Sequence, residues 1–271
     1  MQLSLTAWSM PACTLQEAAA ISRALGINAL DVGLFYRSAL DKAALLADPL
    51  AMAESLKPLG VRLPNYYHLF GDGLSGRNLA LPGTLSANLA DLEKVLIFAD
   101  AASIGSVFIL PGVVNPGQSR KDAQVVATQS LREMSALAGD FKTTLCIEPH
   151  VHSFAESPSI VLDLVEASGI RLALDYSHFA CLGYRQEEID PLAPYAAHVH
   201  LRQAKMGALQ TKFDHGTLNF PAMFATLRDA GYRGALAIEP VHQDYMNTLF
   251  EDVLTEIVAL RDCFNTWKEG S

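Results

Sequence analysis

Glu148 stands where an apolar run ends. The stretch TTLCIEPHVHS (143–153) is hydrophobic as far as Ile147 and then presents a glutamate and two histidines, His150 and His152, close together. A carboxylate at the end of a buried strand needs a strong cationic partner, because an unpaired buried charge is heavily penalised. A metal ion is the first candidate. Three other runs end in the same way: RLALD at Asp175, with His178 three residues on; AHVH at His200, with Arg202 two residues on; and ALAIE at Glu239. Three carboxylates and an imidazole drawn together would repel one another unless a divalent cation sat among them. Such an oxygen-rich set suits Mn²⁺, Mg²⁺ or Co²⁺ better than a closed structural Zn²⁺. A divalent ion beside a carbonyl and a hydroxyl acidifies the neighbouring C–H, and a carboxylate can take that proton.

These side chains can meet only if the elements that carry them return to one rim. Short β-rich runs alternate with helical stretches: LSLTAWS (3–9), NALDVGLF (28–35), VRLPNYYHLF (61–70), SVFILPG (106–112), TTLCIEPH (143–150), RLALDYSHF (171–179), AHVHLRQA (197–204) and ALAIEPVH (235–242). Thr14-x-x-Glu17 reads as a capping box, and Ser157 with Pro158 as N-cap and first helical residue. Gly26, Gly60, Gly105, Gly169 and Gly231 fall where helices should stop. Strict alternation over this length predicts a single (β/α)8 TIM barrel spanning residues 1–271, with its site at the C-terminal ends of the strands. An open doubly wound sheet is the alternative. In a barrel the ends of strands five to eight are neighbours, so Glu148, Asp175, His200 and Glu239 converge. Alternation then turns Cys146, Ala173, His198 and Ala237 inward, and Ile147, Leu174 and Ile238 toward the helices.

Composition narrows the partners. The 271 residues carry 29 Asp+Glu against 20 Lys+Arg, a net charge of −9, with no basic cluster. Nucleic acid is therefore not an expected partner. A small neutral or metal-bridged ligand fits better, and assembly into a homo-oligomer is compatible with the chain. Cys13, Cys146, Cys181 and Cys263 lie far apart and read as free thiols, which points to the cytoplasm. No apolar stretch reaches membrane-span length, and no targeting segment is evident. Gly71-Asp-Gly73-Leu-Ser-Gly76 matches a dinucleotide-binding fingerprint, but RNLALPG follows where a helix must open, so the segment reads as a long loop at the site's edge.

In order and spacing, IEPH (147–150), LDYSH (174–178), HVHLRQ (198–203) and HGTLNFPAMFATLRDAGYRGALAIEP (215–240) resemble the xylose-isomerase-like TIM barrels. That group includes sugar isomerases, ketose 3-epimerases, inosose and dehydroshikimate dehydratases, and endonuclease IV. The resemblance implies that Glu148, Asp175, His200 and Glu239 hold one divalent metal, that Glu148 and Glu239 also move protons, and that His178 and Arg202 touch substrate, a small sugar or polyol-derived molecule. It departs from endonuclease IV: Leu110 precedes Pro111-Gly112 where a zinc-binding histidine is required, and Lys212-Phe-Asp214-His215 is out of register for the later ligands. His68, ending the third strand, reads as a wall of the site.

Plainer readings stand beside these. Glu148 or Glu239 taken singly is a rim carboxylate paired with an arginine or a helix N-terminus; the set of four points to metal. His198 reads as a hydrogen-bonded core histidine, His152 as a loop residue and Trp8 as packing. The expected activity is isomerisation or epimerisation through an ene-diolate. The alternative is dehydration with His150 as base, after the Glu-x-His of dehydroshikimate dehydratases. A barrel that binds sugar or metal without turnover is a second alternative.

Overall fold

A computed structural model describes residues 1–35, 38–242 and 252–270. Among them, eight parallel strands close into a barrel in sequence order. They are β1 (Gln2–Thr6), β2 (Leu30–Gly33), β3 (Asn65–Tyr67), β4 (Ser106–Ile109), β5 (Thr144–Ile147), β6 (Arg171–Asp175), β7 (Ala196–Leu201) and β8 (Ala235–Ile238). Closure is made by β1 on β8, where Gln2 pairs with Ala235 and Leu5 with Ile238. Every strand thus has two neighbours, and no edge is left to satisfy.

The alternation read from the sequence is what divides the core. Val107, Leu145, Ile147, Leu172, Leu174, Val199, Leu236 and Ile238 face outward and pack with the helices. Trp8, Tyr67, Phe108, Cys146 and Ala173 face inward as a second, smaller cluster. Large β-branched and leucine side chains sit under helices such as Leu85–Ala101, Arg120–Ala138 and Val253–Glu269, and each fully buried one contributes roughly 1.5–3 kcal/mol. β7 carries a register shift opposite Leu172 and Ala173, so that Ala196 pairs with Leu172 but His198 with Ala173. The extra residue, Ala197, packs on the inner cluster, and the phase that follows turns His198 and His200 into the barrel.

Helix boundaries follow the local chemistry. Thr14 and Glu17 form the reciprocal capping box, and Ser157 accepts from the Ile160 N–H ahead of Pro158–Ser168. Gly169 ends that helix in the left-handed conformation, as the sequence predicts. Gly105 does not play this part. The left-handed turn after Leu85–Ala101 is taken by Ser103, at φ 57°, and Gly105 instead lies where a Cβ would stand 3.2 Å from the Pro64 carbonyl oxygen. The segment 71–76 forms turns with no helix opening in it, and Lys42 Nζ donates to the Gly71 carbonyl at 2.6 Å.

Candidate active site

The C-terminal mouth of the barrel holds a cavity of about 1010 Å³. Trp8, Phe35, Tyr67, Phe108 and Leu110 form one wall, and Glu148, His150, His178, Arg202 and Glu239 the other. Tyr67 stacks on Phe108 with centroids 4.5 Å apart. Gly33 permits this wall, since a Cβ there would stand 2.5 Å from that of Tyr67. An apolar face opposite a charged one is the usual division between water exclusion and orientation.

Glu148, Asp175, His200 and Glu239 come together as the strand ends predict. All four are buried, and one ligand atom from each lies within 4.8 Å of the others. His200 Nδ1 is the centre of the group, 2.6 Å from Glu148 Oε1 and 3.5 Å from Glu239 Oε2. Glu239 is held by its other oxygen, which accepts from Trp8 Nε1 at 2.7 Å, while its Oε2 is buried without a hydrogen bond. Asp175 Oδ1 caps the helix Tyr176–Cys181 by accepting from the Ser177 N–H. Buried carboxylate oxygens converging on one imidazole nitrogen, one of them orphaned, fit a divalent cation in donor type and number.

The strand ends themselves bring no basic residue among the four, and the structure adds one. Arg202 Nη2 donates to Asp175 Oδ2 at 2.6 Å, and its Nε donates to Ser177 Oγ at 3.2 Å. Its guanidinium also lies 3.7 Å from Glu239 Oε2, so it neutralises part of the cluster while still lining the cavity. His178 sits beside it. The Val151 N–H donates to His178 Nδ1 at 3.3 Å, and Arg202 Nη2 stands 3.4 Å from His178 Nε2, which lies 3.6 Å from Asp175 Oδ2. Burial, followed by the charges of His150 and Arg202, holds His178 well below the usual imidazole range.

His150 is partly buried against His178, with ring centroids 4.3 Å apart. Its Nδ1 donates to the Val151 carbonyl at 2.5 Å, which leaves Nε2 with a lone pair. Burial pulls its pKa down to about 4, so the ring is neutral at neutral pH. His68 is not among the cavity-lining residues. Its ring is fully buried, edge-on to Phe70 and 3.3 Å from the Tyr66 hydroxyl. Trp8, read from the sequence as packing, holds Glu239; an indole at the end of β1 could have been suspected only from its strand-end position.

Glu148 and His200 form a hydrogen-bonded pair, with His200 Nδ1 2.6 Å from Glu148 Oε1 and a proton between them. Burial pushes the Glu148 carboxyl up, while the carboxylates of Glu239 and Glu148 overcome the burial of His200 and push the imidazole up as well. A cation seated on His200 Nδ1 must expel that proton, so acid competes with metal. Metal affinity is therefore expected to weaken as pH falls from about 10, where burial among carboxylates puts the His200 proton, by about tenfold per unit. Titration calorimetry at several pH values checks this; an affinity independent of pH would place the metal elsewhere.

The family model described as "Xylose isomerase-like TIM barrel" matches residues 19–262. A human protein described as "Putative hydroxypyruvate isomerase" is 25% identical over 207 residues, covering 70% of this chain and 74% of its own. Two solved structures share the fold. That of an L-ribulose 3-epimerase superposes with a TM-score of 0.75 at 16% identity, covering 100% of this chain and 95% of its own. A Bacillus anthracis structure described as a probable 3-DHS dehydratase involved in petrobactin synthesis superposes with a TM-score of 0.70 at 13% identity, covering 96% and 99%.

Proposed function

The chain belongs to the xylose isomerase-like TIM barrel family, and on that premise we propose that it is a divalent-metal-dependent sugar isomerase or epimerase. The observation that carries the reading is the pair of buried glutamates, Glu148 and Glu239, 2.6 and 3.5 Å from His200 Nδ1 and both lining the cavity. A divalent ion held by Glu148, Asp175, His200 and Glu239 would polarise a substrate carbonyl and acidify the C–H beside it. Mn²⁺, Mg²⁺ or Co²⁺ suits the three carboxylates better than Zn²⁺. One glutamate takes the C–H proton to give the ene-diolate and the other returns it. Return to the same carbon from the opposite face epimerises; return to the neighbouring carbon isomerises. Trp8 fixes the Glu239 carboxylate, so its free oxygen meets substrate in one orientation. Arg202 offers donors to substrate oxygens with His178 beside it in the cavity wall, and the aromatic wall excludes water from the proton's path.

A second reading has an observation of its own. His150 is neutral, lines the same cavity and presents an unprotonated Nε2, which is the state a general base requires. Proton removal by His150 next to a carbonyl, followed by loss of a β-hydroxyl, makes the protein a dehydratase. Incubation of the metal-supplemented protein with ketopentoses, ketohexoses, inososes, hydroxypyruvate and dehydroshikimate, with chromatographic and mass analysis of products, separates the two. Products of unchanged mass support the isomerase or epimerase; products lighter by one water support the lyase; no product from any of them supports a binding protein.

The compartment we propose is the cytoplasm, in keeping with four free cysteines. No helix among the described residues is long and apolar enough to cross a membrane. Nucleic acid is not expected to bind, given a net charge of −9 and Leu110 where an endonuclease ligand would stand. Micromolar protein should neither retain nor incise abasic duplex DNA at physiological ionic strength; salt-sensitive binding or strand cleavage would overturn this.

A further inference from the structure

Beneath the rim, the barrel interior holds polar groups that proton transfer leaves unused. Asp31 on β2 and His198 on β7 are both buried, and His198 Nε2 stands 2.6 Å from Asp31 Oδ2. At that separation two lone pairs would repel, so a proton lies between them. The approach is nevertheless poorly aligned: neither Asp31 oxygen gains a hydrogen bond of good geometry. Among the described residues, His198 is the only ion-pair contact of Asp31.

One layer higher, His200 directs Nδ1 at Glu148 and Glu239, while its opposite nitrogen, Nε2, is buried and has no hydrogen-bond partner. The two histidine rings meet edge to face with centroids 5.1 Å apart. One ring nitrogen of each, and one Asp31 oxygen, lie within 4.8 Å of one another. A buried carboxylate lacking an aligned donor thus lies within 4.8 Å of a ring nitrogen of His200, whose Nε2 is buried and lacks an acceptor. Leaving both unmet is costly, and one hydrogen bond between them would satisfy both.

We infer that Asp31, steadied from the side by His198, is the positioning residue for His200: its carboxylate accepts the His200 Nε2–H and so commits the Nδ1 lone pair to the cation site. The inference rests on the metal reading above and extends it to a residue outside the four ligands. An imidazole can present either nitrogen, and the hydrogen bond on one decides which is free to bind. A carboxylate behind the ring also raises the basicity of the ligating nitrogen, and loss of such a partner typically weakens metal binding by about 10–100-fold. β2 and β7 bring the two together because both side chains point into the barrel, a proximity that the sequence separation of Asp31 and His200 conceals.

The test uses the full chain labelled with ¹⁵N at histidine, with Mn²⁺ affinity from calorimetry and imidazole spectra of the metal-free protein. In the wild type, His200, identified by the loss of its signals in His200→Asn, should carry a proton on Nε2. In Asp31→Asn that N–H should shift and exchange faster, and Mn²⁺ binding should weaken about 10–100-fold whatever the metal-free melting temperature becomes. A purely structural role for Asp31 would lower the melting temperature and leave affinity and N–H signal alone, and that result overturns the inference. Should Asp31→Asn not fold, the wild-type spectrum decides: His200 protonated on Nδ1 alone, with Nε2 bare, overturns it, and His198→Gln should shift the same N–H. A wild type that takes up no Mn²⁺, yet shows an Nε2–H that responds to Asp31, retains the positioning role and removes the metal reading.

Discussion

Glu239→Gln is expected to lower turnover by about 10²–10⁴-fold, the usual contribution of a positioned acid or base. The amide keeps the size of the side chain, and its oxygen can still accept from Trp8 Nε1, so the carboxamide stays where the carboxylate was. What is lost is the carboxylate oxygen that is buried without a hydrogen bond, beside His200 Nδ1 and the Arg202 guanidinium. His150→Asn is expected to act differently. It removes a neutral ring that contacts His178 and lines the cavity, which should raise KM while leaving proton transfer largely intact. Elemental analysis of both variants shows whether metal is retained. Turnover that persists in Glu239→Gln and vanishes in His150→Asn, with metal bound in each, would transfer the role of base to His150 and the protein to the dehydratases.

Stripping the metal should have the second-largest effect. With ion present at a hundred times its dissociation constant, binding to the folded state contributes about 2.7 kcal/mol. A chain of this size shifts its melting temperature by about 2–4 °C per kcal/mol, so EDTA should lower it by about 5–10 °C. The effect should disappear in Asp175→Asn. That substitution breaks the contact with Arg202 at the same time, so the variant should already melt lower without metal. EDTA without effect on the wild-type melting temperature, together with a metal-supplemented crystal in which the four side chains stand apart, would remove the ion from the site.

What could be read in the sequence was whatever depends on period. Inward parity at Cys146, Ala173 and His198, and the rim positions of Glu148, Asp175, His200 and Glu239, follow from alternation along strands whose apolar faces are strongly marked. Caps at Thr14 and Ser157 were legible because their partners are three residues away. Contacts between strands distant in sequence were not. Trp8 on Glu239 joins the first strand to the last, and Asp31 against His198 joins the second to the seventh; no local pattern announces either. Arg202 could be assigned to the rim, but its choice of Asp175 depends on side-chain reach. His68 was drawn toward the site by its place at a strand end, whereas Tyr66 and Phe70 receive its ring inside the wall. Gly105 failed as a helix stop because Ser103 already supplies the left-handed turn.

Metal-dependent proton transfer next to a carbonyl is tested most directly by hydrogen exchange in D₂O. The protein, metal-loaded and metal-stripped in parallel, is incubated with a panel of ketoses, inososes, hydroxypyruvate and dehydroshikimate, and the C–H resonances are followed by NMR. The expected result is deuterium entering one C–H position next to the carbonyl of a single substrate class, only in the loaded protein, and lost in Glu239→Gln. Exchange that is equal in loaded and stripped protein, or absent from every compound of the panel, would contradict it.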